Sequence, residues 1–244
     1  MKKLTLLIAV CTLFLAMNAQ AQWSSKNKIK GNGNLITETR KTATYDQVKV
    51  AGFFDVDLVS GKEGVILLEG EDNLLPHVKI EVEGNVLKIF TDKNSNISTS
   101  NGKTIRITVP FEVISAVELV GSGDVVSQHT IKAESFTAKL TGSGDLKLAV
   151  DAQSTAIILA GSGDIAITGT TESLMSKLSG SGDLTTTNLK AKIAQVTVAG
   201  SGDLTLFCSE NLTARVTGSG SIKYKGNPEK RDTSVSGSGS ISKI

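Results

Sequence analysis

The chain has 244 residues, a formal net charge of +2 and an aromatic content of only 4%. A charge so close to neutral, with no basic block, gives no electrostatic ground for a nucleic-acid partner. Scarce aromatics beside plentiful Gly, Ser, Thr, Val, Ile and Leu suit many short strands packed with aliphatic side chains, not helices.

Lys2 and Lys3 precede an almost unbroken apolar stretch from Leu4 to Met17, and Ala19-Gln20-Ala21 then supplies a small-x-small cleavage pattern. This predicts a signal peptide over residues 1–21, a mature start at Gln22 and an exported protein found in the periplasm, at the outer-membrane surface or outside the cell. The stretch is short for a bilayer span, and no second apolar segment of membrane length comes after it. Cys11 sits inside the stretch behind Val10, not at its end behind a small residue, so lipidation is not expected. Removal of residues 1–21 leaves 24 basic against 24 acidic residues. One cysteine remains, Cys208, in the apolar run Leu204–Cys208. No intramolecular disulfide can form, and the thiol reads as a small buried hydrophobe.

Residues 22–115 read as an N-terminal β-rich region. Strands are predicted near Gln47–Val50, Phe53–Ser60, Val65–Glu69, Val78–Val82, Val86–Thr91 and Ile105–Val109, with a tight turn at Glu83-Gly84-Asn85. Asp92–Lys103 is polar and reads as a mobile loop. Gly31-Asn32-Gly33-Asn34-Leu35 reads as a degenerate copy of a motif that dominates the rest of the chain. The region is expected to cover the N-terminal end of the C-terminal repeats, either as a separate cap or as part of one continuous domain over 22–244.

Residues 116–244 carry that motif seven times: Gly121-Ser122-Gly123-Asp124, Gly142-Ser143-Gly144-Asp145, Gly161-Ser162-Gly163-Asp164, Gly180-Ser181-Gly182-Asp183, Gly200-Ser201-Gly202-Asp203, Gly218-Ser219-Gly220-Ser221 and Gly237-Ser238-Gly239-Ser240. The intervals are 21, 19, 19, 20, 18 and 19 residues, and a fixed period near 20 marks a solenoid. Aliphatic residues flank each copy, two before (Leu119, Leu140, Leu159) and directly after (Val125, Leu146, Ile165). Alternation runs through the motif, with Leu140, Gly142, Gly144 and Leu146 on one face and Thr141, Ser143 and Asp145 on the other. Period two means strand. A coil of about 19 residues cannot bury its own apolar face, so stacking at about 4.8 Å is required to build a core. The predicted fold is all-β: a single-chain parallel β-helix, right-handed by the general preference of parallel crossovers. The glycines either leave room inside a narrow coil or adopt positive φ at a corner.

The outward serines and aspartates form a candidate ladder: Ser122, Asp124, Ser143, Asp145, Ser162, Asp164, Ser181, Asp183, Ser201, Asp203, Ser219 and Ser221. Calcium is the metal to weigh there. Calcium-binding rolls repeat every nine residues, however, and Ser221 and Ser240 replace the acid in the last two copies. Hydrogen bonding of the side chains to backbone is the better reading, and no metal or other cofactor is expected. No catalytic residue is singled out either. A nucleotide fingerprint needs a helix after its glycines, His77 and His129 lie in unrelated contexts, and no serine has a distinguishing base.

The exported N-terminus, Tyr45-Asp46-Gln47-Val48-Lys49-Val50-Ala51-Gly52-Phe53, Glu71-Asp72-Asn73-Leu74-Leu75-Pro76 and the serial Gly-Ser-Gly-Asp units together resemble the auto-transporter adhesin, head GIN domain family, over roughly residues 31–244. The resemblance implies a β-helical fold and a binding role at the cell envelope or surface. Self-secretion is not expected, since a membrane barrel of many strands has no room after the seventh motif. The expected partner is an envelope or extracellular protein or carbohydrate. A structural, self-associating envelope component is the alternative, and a polysaccharide-acting β-helix enzyme the third reading.

Overall fold

A computed structural model describes residues 28–244; the signal peptide assigned to residues 1–21 lies outside them, as do Cys11, Gln22 and Trp23. Nineteen strands run through the described residues, with one short 3-10 turn at Leu75–His77 and no α-helix. No helix among them is long and apolar enough to cross a membrane.

The repeats form the predicted parallel solenoid. Strands β10 (Ala116–Gly121), β12 (Ile131–Gly142), β13 (Asp145–Gly161), β14 (Asp164–Gly180), β15 (Leu184–Gly200), β16 (Asp203–Gly218) and β18 (Lys230–Gly237) stack in sequence order, each parallel to the next. Shorter strands β11 (Asp124–Ser127), β17 (Ser221–Lys225) and β19 (Ser240–Lys243) complete the coils on the far side of their motifs. The register is kept throughout at the motif: Gly121, Gly142, Gly161, Gly180, Gly200, Gly218 and Gly237 lie one above another. Flanking aliphatics therefore stack as continuous buried columns, Leu119, Leu140, Leu159, Leu178, Val198 and Val216 before the motif and Val125, Leu146, Ile165, Leu184, Leu204 and Ile222 after it. Each such side chain withdrawn from water contributes about 1.5–3 kcal/mol, and the backbone is paired to the coils above and below.

The stack extends beyond residue 116 toward the N-terminus. Strands β3 (Gln47–Gly52) and β4 (Asp55–Ser60) lie parallel beneath β10 and β11, with Gly52 under Gly121 and Asp55 under Asp124. Beneath them in turn lie β7 (Val86–Thr91) and β9 (Arg106–Phe111), again parallel. The degenerate copy of the motif is thus Gly52-Phe53-Phe54-Asp55, not the Gly31–Leu35 segment. Phe54, fully buried, occupies the position of the second glycine. The parallel stack stops there. Strand β6 (Val78–Glu83) pairs antiparallel with β7 through a two-residue turn in which Gly84 and Asn85 both have positive φ, the geometry of a tight hairpin. Strand β5 (Val65–Glu71) pairs antiparallel with β9 and with β2 (Leu35–Lys41). These antiparallel strands cover the edges that an open solenoid end would expose.

The segment read as a mobile loop holds a strand. β8 (Asn96–Ser98) pairs in parallel with β1 (Lys28–Lys30). Glu71 fastens this pair to the body: its carboxylate, without exposed surface, accepts the backbone N–H of Gly33 at 2.6 Å and of Ser100 at 2.9 Å. A Cβ on Gly31 would sit 2.0 Å from that carboxylate, which is why this glycine is present although it belongs to no solenoid motif.

Candidate binding groove

At the motif corners from Gly121 to Gly200 the carbonyl of the first glycine accepts two N–H groups from the next coil, for example Ser143 N–H at 2.9 Å and Gly144 N–H at 3.2 Å on the Gly121 oxygen. The second glycine points inward: Gly123, Gly144, Gly163, Gly182, Gly202 and Gly220 are buried. Ser122, Ser143, Ser162, Ser181, Ser201 and Ser219 are exposed, as are Asp124, Asp164 and Asp183, while Asp145, Asp203 and Ser221 are half-buried.

The aspartates bond along the solenoid axis. Asp124 accepts the N–H of Asp145 at 3.2 Å, Asp145 that of Asp164 at 3.2 Å, Asp164 that of Asp183 at 2.9 Å and Asp183 that of Asp203 at 3.1 Å. Asp203 takes both the N–H of Ser221 at 3.0 Å and its hydroxyl at 2.7 Å. A carboxylate that accepts an N–H from the next coil offsets part of the repulsion between like charges in the column. Lys147 lies 4.0 Å from Asp145 and Lys223 lies 3.8 Å from Asp203, adding cations to the ladder. At its base, burial and the neighbouring Asp124 push the Asp55 carboxyl up, against the opposing pull of Thr104 and Arg106. Among the described residues no three acidic, histidine or cysteine side chains converge as a metal-binding group.

The other corner of each coil has a different character. Strand alternation breaks where two successive residues face outward, at Glu134-Ser135, Gln153-Ser154, Glu172-Ser173 and Lys192-Ile193. Just before this break lies a column of small residues in register, Ala133, Ala152, Thr171 and Ala191. Outward-facing side chains rise on both sides: Lys132, Asp151, Thr170, Lys190 and Phe207 form one wall in register, and Glu134, Gln153, Glu172 and Lys192 form the other. The result is a groove of about 970 Å³ running along the axis. Five coils line it, and at about 4.8 Å per coil it spans roughly 19 Å.

Several wall side chains are held in place. Lys192 bonds Glu172 at 2.8 Å, which lowers the Glu172 pKa and raises that of Lys192. The Lys190 ammonium lies 4.2 Å from the centre of the Phe207 ring, and Thr170 donates to Asp151 at 2.5 Å. Beneath the floor, Cys208 is buried and its thiol lies 3.3 Å from the Lys192 carbonyl oxygen. Burial is the largest cause of its raised pKa, so it is a packed thiol, not an activated one. The histidines stand apart from the groove: His129 accepts the Ser60 N–H at 3.2 Å, and His77 is 2.8 Å from the Ser95 hydroxyl.

Sequence reading singled out the Ser/Asp ladder and missed the groove. Its signal is the double outward pair that interrupts period two once per coil, with a small residue immediately before it.

Three solved structures share this architecture. A "putative adhesin" from Bacteroides fragilis superposes with a TM-score of 0.81 at 24% identity, covering 88% of this chain and 100% of that one. A "putative lipid binding protein" from Parabacteroides distasonis gives 0.74 at 26% identity, covering 89% and 99%. A second protein from Parabacteroides distasonis, a "putative adhesin", gives 0.69 at 21% identity, covering 89% and 100%. No curated protein is significantly similar to the chain in sequence. Residues 44–228 match the family described as "Putative auto-transporter adhesin, head GIN domain", and the chain belongs to that family.

Proposed function

We propose that the chain is a non-catalytic binding protein of the cell envelope or surface, and that it holds an extended ligand in the axial groove. The observation that carries this reading is the groove's floor. Four successive coils place a small residue at the same register position between two rows of outward-facing side chains, and together they form a continuous trough along the axis. Ligand sites are concave, with a few polar groups that fix orientation, and a rigid repeat scaffold presents such a site without loop rearrangement. The adhesin description of the family supports binding over catalysis.

Filling the trough tests this. Gln153→Trp places an indole over the trough, at an exposed residue of one wall. The variant is expected to keep its melting temperature within a few degrees, since surface changes stay within about 0.5 kcal/mol. It should lose binding to whichever extended glycans or peptides the native protein retains on an array. Retention of the same ligands with unchanged affinity by Gln153→Trp would overturn the groove as the site.

A self-associating envelope component is the second reading, favoured by one feature. Among the described residues β18 pairs only with β16 and β19 only with β17, and Val235 on this last coil is 43% exposed. Concentration-dependent sedimentation at physiological salt would support it, and a monomer at all concentrations would remove it.

A further inference from the structure

Resting on the groove reading above, we propose that the ligand is a short extended peptide with both ends free, its carboxylate at Lys190 and Lys192 and its amino group over Asp151. Apart from Lys132 in the first coil, the charges of the walls are segregated along the axis. Glu134, Asp151 and Glu172 belong to the first three coils of the groove, and Lys190 and Lys192 to the fourth. The two lysines lie two residues apart on one strand and face outward on either side of Ala191, which faces the core. They are also steadied, Lys192 by Glu172 at 2.8 Å and Lys190 by the Phe207 ring at 4.2 Å. Two positioned ammonium groups suit a carboxylate, which accepts from both in charge-assisted hydrogen bonds.

Spacing sets the length. Asp151 and Lys190 are two coils apart in register, or about 10 Å at the rise of stacked strands, and an extended peptide advances about 3.4 Å per residue. Three residues therefore place an amino group at Asp151 when the carboxylate is at Lys190 and Lys192. Lys132, one coil before Asp151, bounds the acidic segment at its other end and disfavours a cation placed further along. Between the two ends, the hydroxyl of Thr170 and the amide of Gln153 line the groove and offer partners for the ligand's own N–H and C=O groups.

Alternative ligands fit less well. The walls carry three acids and three lysines, so a polyanion or polycation gains at one end and is repelled at the other. An uncharged glycan can hydrogen-bond these groups through its hydroxyls but neutralises none of their charges, so it gains less at each end than a ligand with opposite charges at its two termini.

Titration calorimetry with Gly-Ala-Ala, its C-terminal amide and its N-acetyl form tests the proposal on the whole protein. The free tripeptide is expected to bind, and capping either end should weaken it by about tenfold or more, the loss expected for one charge-assisted contact. Lys192→Met should bring the free peptide down to the affinity of the amide without weakening the amide further, a coupling that a merely structural lysine would not show. Equal affinity for all three peptides, or no binding of any, would overturn the proposal. If an uncharged glycan then bound the native protein and lost affinity in Gln153→Trp, the peptide assignment would fall and the groove would stand. If Gln153→Trp affected no ligand, the groove reading would fall as well.

Discussion

At Gly161 the backbone φ is +140°, and a Cβ would lie 2.1 Å from the carbonyl oxygen of Gly142 in the coil before. At Gly163 no positive φ is involved, yet a Cβ would lie 2.0 Å from the Gly144 oxygen. The sequence offered two explanations for the paired glycines, a strained corner or a narrow interior. The fold uses both, with the strained φ falling on the first glycine and the buried approach on both. Side-chain parity could not separate them, because it says which face a residue occupies and nothing about φ. Either Gly161→Val or Gly163→Val is expected to destabilise by on the order of 4 kcal/mol, the first through clash and backbone strain, the second through clash alone. Ser162, exposed between them, contributes its backbone N–H to the Gly142 carbonyl, so Ser162→Ala should stay within about 0.5 kcal/mol. Denaturant unfolding of the three variants checks this, and a Ser162→Ala as damaging as the glycine changes would refute the assignment of roles.

Among the elements, the cap shows where local pattern stops being informative. β3, β4, β6, β7 and β9 alternate cleanly and fall where period two places them. β1 and β8 have three residues each and exist because they pair with one another across the chain; neither carries a pattern of its own. The Gly52–Asp55 corner escaped notice for a related reason. The chain leaves the stack after β4, builds the antiparallel cap and the lowest coil, and returns only at β10, so this copy falls outside the regular period. What binds β1 and β8 to the body is Glu71. Burial pushes its pKa up, but the Ser100 and Gly33 hydrogen bonds and nearby Lys103 outweigh it and leave the carboxyl below the ordinary range. A lowered folded pKa means stability that is fully present above the ordinary glutamate value of about 4.3 and lost as pH falls through the lower folded value. Glu71→Gln should therefore melt earlier than the native protein at pH 7, and the gap should narrow as pH falls below the ordinary glutamate value, with circular dichroism as the readout. A gap that persists unchanged at low pH would show that packing, not ionisation, fastens the segment.

Across the whole molecule, stability is built coil by coil, and function is distributed the same way. Each coil contacts its neighbours through the same columns: aliphatics inside, aspartate-to-N–H bonds along one edge, small residues along the groove floor. The architecture was legible from period and parity because both are properties of a single repeat. The groove was not, because it exists only where five coils place their exceptions to that parity side by side. Additivity of this kind has a direct consequence. Removing residues 164–182 joins Gly163 to Asp183 and brings β13 against β15, where Leu146 meets Leu184 and Leu159 meets Val198, equivalent partners in the native register. Since nearest-neighbour contacts dominate a solenoid, the shortened chain is expected to fold with a native-like β spectrum and a modestly lower melting temperature. Its groove would lose Thr170, Thr171 and Glu172 and bring Asp151 within one coil of Lys190. A tripeptide with free ends should then bind less well than a dipeptide with free ends, reversing the native order. A shortened chain that folds yet keeps the native preference would show that ligand length is not read by the number of coils between Asp151 and Lys190.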